Sequence, residues 1–356
     1  MTCSRDPEQI ILDPADKPRD DRSYLGNDAR LRAKINCVKI FPKIAFISCV
    51  IALIVIGLGA FTRLIDAGLG CPDWPGCYGH LTVPHTYLAQ KLVALEYPTT
   101  PLVIYKAWAE MVHRYAVAGL SLFIFSIIIM IISVKKLRTR VNIIFSLLLL
   151  ALLGYQIILG QWTVTLKLQP VIVTQHLIGG YLILTTLWLI FLANRAKLGW
   201  NPDKKLLPWA LGGLILVFLQ IILGAWTSTH YASLSCPDFP FCVNNQTMPV
   251  WHIKDLLTVK TIMHMAHRVG AMVVTIYLFC FTMIAIVRLR LKPSVNKLFI
   301  LILFLLIMQI GLGMSNVLFK LPLAIAISHT VTAVLLFLAL ATLNFHLFFK
   351  KVTHDS

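Results

Sequence analysis

Charge is what this sequence has least of. Of its 356 residues 13% are Asp, Glu, Lys or Arg, against 58% hydrophobic, and mean hydropathy is +0.79. A soluble chain of this length carries close to twice that charged fraction, which excludes an ordinary water-soluble fold. Acid is scarcer than base, 15 residues against 32, for a formal net charge of +17. Seven of the acids (Asp6, Glu8, Asp13, Asp16, Asp20, Asp21 and Asp28) crowd the polar first 42 residues. Mitochondrial transit peptides are poor in acids, so this start does not read as one. A cleavable signal peptide is missing too, and the first apolar run is long enough to stay as an anchor. These features predict a bacterial cell (inner) membrane protein whose segment 1–42 is a mobile cytoplasmic tail with no assigned function.

What the chain does have is apolar runs of about 20 residues, enough to cross a hydrocarbon core roughly 30 Å thick. With no water there to satisfy the backbone, each run should be a helix. Spans are expected near 43–63, 106–133, 141–162, 171–194, 207–228, 259–288, 296–318 and 322–349. Basic residues gather in alternate connections: Lys135, Lys136, Arg138 and Arg140; Arg195, Lys197, Lys204 and Lys205; Arg288, Arg290, Lys292 and Lys297; then Lys350 and Lys351. The positive-inside rule then puts both termini in the cytoplasm. The charge reports topology, and no nucleic acid or other polyanionic partner is needed to explain it.

The sequence repeats. ILGAWTSTHYASLSCPDFPFC (222–242) echoes GLGAFTRLIDAGLGCPDWPGC (57–77), and MHMAHRVGAMVVTIYLF (263–279) echoes AEMVHRYAVAGLSLFIF (109–125). A third match pairs QIGLGMSNVLFKLPLAIAISH (309–329) with QIILGQWTVTLKLQPVIVTQH (156–176). The expected fold is all-α: eight transmembrane helices in two tandem four-helix bundles, 43–194 and 207–349. An even number of spans per half makes them parallel repeats about an axis along the membrane normal.

The repeat sorts eleven histidines. His113 aligns with His267, and His176 with His329, each in the first turns of a span that enters from outside. A lone histidine in a span is commonly a packing residue, but a pair that recurs after duplication points to function. Two opposed imidazoles from facing helices suit a six-coordinate heme iron. A zinc or copper site would want further ligands at the same depth, and His264 keeps that alternative open in the second half. Arg114 and Arg268 follow these histidines and could meet heme propionates or snorkel to lipid headgroups.

The halves differ at one telling position. Glu110 shares a helical face with His113, while its counterpart is His264. Glu110 can take or supply protons, or it can orient His113 as carboxylates do for ligating histidines. Cys71 with Cys77, and Cys236 with Cys242, should form disulfides in an oxidising compartment, as staples or as redox elements. Cys3, Cys37, Cys49 and Cys280 have no such context. A Gly-x-aromatic-Thr pattern recurs at Gly59, Gly160 and Gly224. Close helix approach and an interfacial aromatic explain it without a cofactor box.

Glu110, His113, Arg114, His176, the echo at His267, Arg268 and His329, and the two cysteine pairs together resemble the heme A synthase family over roughly residues 43–349. The resemblance implies oxidation of the C8 methyl of heme O to a formyl group, giving heme A for terminal oxidases. It implies that His113 and His176 hold the substrate heme, with Glu110 as the catalytic carboxylate. It likewise implies a resident heme b between His267 and His329. The partners it suggests are heme O, the upstream farnesyltransferase that makes it, surrounding membrane lipid and a second copy of the chain; no electron donor is named.

Two rivals stand beside this reading. A bis-histidine diheme cytochrome b carrying electrons across the bilayer would place one heme toward each leaflet, whereas all four histidines lie toward one face. A transporter would want polar groups near the midplane, where these spans are Leu, Ile, Val and Phe.

Overall fold

The structure is a computed structural model, and it describes residues 21–195, 204–237, 242, 259–288 and 293–348. Among these, nine α-helices and two single 3-10 turns occur, with no strand. The helices are α1 (Asp21–Leu64), α2 (Tyr87–Glu96), α3 (Ile104–Ser133), α4 (Arg140–Thr165), α5 (Pro170–Asn194), α6 (Leu207–Thr229), α7 (Val259–Arg288), α8 (Pro293–Leu318) and α9 (Leu323–Phe348). All but α2 are long and apolar enough to cross a membrane, eight in all. The protein is therefore an all-α, multi-pass membrane protein.

Two elements depart from the sequence expectation. α1 begins at Asp21 and runs through Pro42 into the span, so part of the presumed tail is helix. Its run of Ala, Leu, Arg and Lys favours that state, and a helix once nucleated propagates cheaply. The connection 65–103 was expected to be loop and contains α2, capped by the Thr86 hydroxyl, which accepts from the Ala89 amide at 3.3 Å.

Packing places α5 and α9 centrally, since these are the most buried spans. α1 packs on α3 and α5, and α4 on α5; α6 packs on α7 and α9, and α8 on α9 and α7. The two groups meet where α1 and α6 touch α9 and α5. Ile124, Ile127, Leu149, Leu184, Leu187, Ile190, Leu278 and Phe299 fill the interior with no exposure above 1%. Leu122, Ile129, Phe304 and Ile307 face outward, as spans bathed in lipid require.

Polar side chains join several of the spans. The Trp188 indole N–H of α5 donates to the Thr342 hydroxyl of α9 at 2.7 Å. Asn142 and Asn194 exchange amide bonds of 3.0 and 2.8 Å between α4 and α5. Thr342 also donates to the Leu338 carbonyl, so removing the indole leaves the hydroxyl engaged. Trp188→Phe should therefore cost only about 0.5–1 kcal/mol, read as a small fall in the thermal midpoint in detergent. A loss as large as that of a core truncation would refute this reading of the α5–α9 contact.

Candidate functional site: paired imidazoles under cysteine loops

Four helices finish in the same way. The Ala67 amide bonds back to the Thr62 carbonyl (2.9 Å), Leu168 to Thr163 (2.9 Å), Ala232 to Thr227 (3.0 Å) and Leu321 to Asn316 (2.7 Å). Each closure is the six-to-one bond that ends a helix through a left-handed residue. Those residues are Asp66, Lys167, Tyr231 and Lys320, at φ between 49° and 55°. None is glycine, so each carries a backbone conformation that side chains disfavour.

Three residues before each closing carbonyl stands a glycine, and each glycine meets an imidazole. A Cβ on Gly59 would lie 3.1 Å from Cε1 of His113; on Gly224, 2.9 Å from Cε1 of His267; on Gly313, 3.2 Å from Cε1 of His329; on Gly160, 3.6 Å from Cε1 of His176. The Gly-x-aromatic-Thr pattern is thus a seat for a ring. The fourth seat, Gly313 before Asn316, lacks the aromatic and the threonine of the pattern and completes the match to four histidines.

The histidines lie six to nine residues into their helices, roughly 9–14 Å along the axis, all at the end that carries the cysteine loops. Within each half the two imidazoles stand on spans that pack on a common helix, α1 for His113 and His176 and α6 for His267 and His329. Nδ1 of His113, His176 and His329 is buried without a hydrogen-bond partner, which is costly in a span. His267 Nδ1 instead has the Gln220 amide nitrogen 3.0 Å away, leaving Nε2 as the nitrogen free to ligate. Among the described residues no three His, Cys, Asp or Glu side chains cluster as a metal site. His264, the proposed third nitrogen, accepts from the Cys236 amide through Nδ1 at 3.2 Å. A donor set of two imidazoles, flanked by glycine and, in the second half, by the Gln220 amide on His267 Nδ1 and the Gln309 amide 3.2 Å from His329 Nε2, fits an iron porphyrin, whose macrocycle supplies the remaining four ligands.

Glu110 occupies the same place as His264. Its Oε2 accepts from the Cys71 amide at 2.9 Å, and its Oε1 from the Arg114 guanidinium. Its side chain is buried. The carboxylate is thus held by the loop and by Arg114, while His113 Nδ1 has no partner; the geometry gives no support to an orienting bond from Glu110 to that nitrogen. Arg114 also donates to the carbonyls of Asp73 (3.0 Å), Pro75 (3.2 Å) and Gly76. Arg268 donates to the Cys236 carbonyl at 2.6 Å. Both arginines grip the loops that follow α1 and α6.

Those loops are closed by disulfides, Cys71–Cys77 and Cys236–Cys242; Cys49 and Cys280 are free, while Cys3 and Cys37 lie outside the residues whose side chains are described. Asp73, inside the Cys-Pro-Asp-aromatic-Pro-x-Cys unit, caps the first loop by accepting from the amides of Tyr78 (2.5 Å) and Gly79 (2.9 Å). Burial, then the Asp73 and Glu110 carboxylates, raise the Tyr78 phenol above its ordinary pKa. It stays a neutral donor to the Thr100 carbonyl, 3.1 Å away. Cys71, Cys77, Tyr78, Val83 and Val93 pack with Ala107 and Met111 of α3 as a small separate core. The loop is an ordered cover over Glu110.

The glycine seats make a graded prediction. Gly224→Val should push the His267 ring aside and lower the bis-imidazole heme absorbance of the purified protein several-fold. Gly160→Ala, with room for its Cβ, should leave that absorbance near wild type. Unchanged heme content in Gly224→Val would show that the close approach does not position the ring.

The sequence model of the cytochrome oxidase assembly protein family matches residues 42–341. A heme A synthase of Shewanella oneidensis is 37% identical over 247 residues, covering 64% of this chain and 73% of that protein. A heme A synthase of Bacillus cereus is 25% identical over 250 residues, 68% of this chain and 72% of the relative. The match runs from the first span to the last and takes in every seat, ring and loop described above: the chain belongs to the cytochrome oxidase assembly protein family, with heme A synthases among its relatives.

Proposed function

We propose that the chain is a heme A synthase, an oxidoreductase that converts heme O to heme A for terminal oxidases. The observation that carries this is the paired-imidazole site in each half, with a loop-held carboxylate in one half only. We assign the substrate heme to His113 and His176, and a resident heme b to His267 and His329. Heme iron held by these imidazoles would supply the redox chemistry. The conversion is a four-electron oxidation that draws on an external oxidant such as dioxygen: two hydroxylations take the C8 methyl to a geminal diol, which loses water to leave the formyl group.

The protein's part is to bind, to orient and to move protons. Among the described residues Glu110 is the one carboxylate within a helical turn of these histidines, and it takes or returns the proton as the diol dehydrates. Arg114 and the Cys71 amide hold both of its oxygens, so the carboxylate points in one direction without spending a bond on His113. The disulfide-closed loop covers the site and limits water. Arg114 and Arg268 supply positive charge for propionates at the same end. In this reading residues 43–194 and 207–349 are parallel repeats, both termini are cytoplasmic, and the membrane is the bacterial inner one.

The test uses purified protein loaded with heme O. Glu110→Ala should cut heme A formation by about 10²–10⁴-fold while both heme sites keep their spectra. Full conversion by that variant would remove Glu110 from the chemistry. Chromatography of hemes extracted from the wild type should show heme b together with heme O or A. Two equivalents of heme b alone would favour an electron-carrying cytochrome b instead.

A further inference from the structure

A lateral groove of about 200 Å³ opens between α1 and α3, lined by Leu58, Phe61, Tyr105, Trp108, Ala109 and Val112. Its lining brackets the stretch of α1 that seats the His113 ring and the turn of α3 that precedes it. Leu58 and Phe61 flank Gly59, the seat of the His113 ring, and Val112 precedes His113 in the chain. Its outer wall faces lipid, since Tyr105, Trp108 and Val112 are exposed within a span. No charged side chain lines it, so it suits an apolar chain and not the polar edge of a porphyrin.

At the floor of the groove the two halves differ by a large step, and its walls differ as well, Phe61, Tyr105, Trp108 and Val112 corresponding to Trp226, Val259, Ile262 and Ala266. The Thr62 hydroxyl donates to the Ala109 carbonyl at 3.3 Å, and the Thr227 hydroxyl to the Met263 carbonyl at 3.3 Å, so Ala109 and Met263 hold equivalent places. Where one half has a methyl group, the other has a four-atom side chain that would fill the floor of such a groove. A membrane acyl chain has no reason to prefer one half. A substrate that carries a long apolar tail, and sits only beside His113, does.

We infer that the α1–α3 groove holds the isoprenoid tail of the substrate heme, entering sideways from the bilayer, with Ala109 keeping its floor open. The inference rests on the assignment of the substrate heme to the first half. Tail methylenes buried there add affinity that a tail-less heme lacks, and the tail's direction fixes the rotation of the macrocycle about its iron. Ala109 is thereby a specificity residue and touches no reacting atom.

The experiment titrates the full-length protein in lipid nanodiscs with heme O and, separately, with heme B, which has the same macrocycle without the tail. Wild type should bind heme O more tightly at the first-half site. Ala109→Met should weaken heme O by about tenfold, the worth of roughly two buried methylenes, and leave heme B unchanged. Ala109→Leu should do the same, because bulk and not sulfur closes the groove, while Ala109→Ser should retain the wild-type preference. Second-half heme content and the thermal midpoint should be constant across the series, which separates a closed groove from a misfolded protein. Undiminished heme O affinity in Ala109→Met would overturn the inference. So would a co-purified lipid, displaced by Ala109→Met with heme O affinity unaltered, since the occupant would then be an acyl chain. If wild type takes up neither heme beside His113, the assignment of the substrate site itself fails.

Discussion

An imidazole inside a helical membrane protein has to find room between backbones that pack 8–10 Å apart, and here glycine provides that room four times. The constraint propagates in both directions along the chain. Three residues beyond each glycine, a Thr or Asn carbonyl takes the bond that ends the helix. In the first and third of these helices the threonine hydroxyl also reaches across to the carbonyl of Ala109 or Met263 on the next span. One short stretch therefore sets the ring's seat, the helix's end and the grip between neighbouring spans. Moving the glycine by one residue would turn it about 100° around the helix and set a side chain against the ring.

Against that shared frame, the substitution of Glu110 for His264 has a clear meaning. The first cysteine of each loop needs an acceptor for its amide, and both residues provide one. Folding alone is thus served equally well by imidazole or carboxylate. The carboxylate adds a second oxygen and a negative charge, which cost desolvation in a buried position and need Arg114 to offset it. A costlier group retained where a cheaper one would cap the loop argues for chemistry at that position.

Much of this was legible in the sequence, because a bilayer narrows the choices. Span number follows from hydropathy, and the internal alignment picks out the four histidines that the structure seats against glycines. The cysteine pairs follow from spacing. What escaped depends on contacts that no period reveals. The seat at Gly313 lacks the aromatic and threonine of its three counterparts, so pattern matching passes over it. α2 is ten residues of ordinary composition, made a helix by a threonine cap and by Val93 packing into the loop core. Arg114 offered itself for propionates or lipid, and its use on three loop carbonyls depends on how the Cys71–Cys77 loop folds back.

The contact between the halves shows why one chain, and not two copies of a half, suits this arrangement. Arg63 donates to the Ser228 carbonyl at 3.0 Å and lies 4.1 Å over the Tyr231 ring, while Tyr231 donates to Asp66 at 3.1 Å. By the internal alignment, Arg63 corresponds to Ser228 and Asp66 to Tyr231. Equivalent positions meeting one another is what the proposed two-fold relation between the halves would demand of the residues nearest its axis. In a dimer of identical halves the same geometry would set Arg against Arg and Asp against Asp, with like charges facing. Fusion into one chain lets the paired positions diverge into a cation over a ring and a hydroxyl on a carboxylate. The same freedom lets one histidine pair acquire Glu110 and the open floor at Ala109 while the other keeps His264 and Met263.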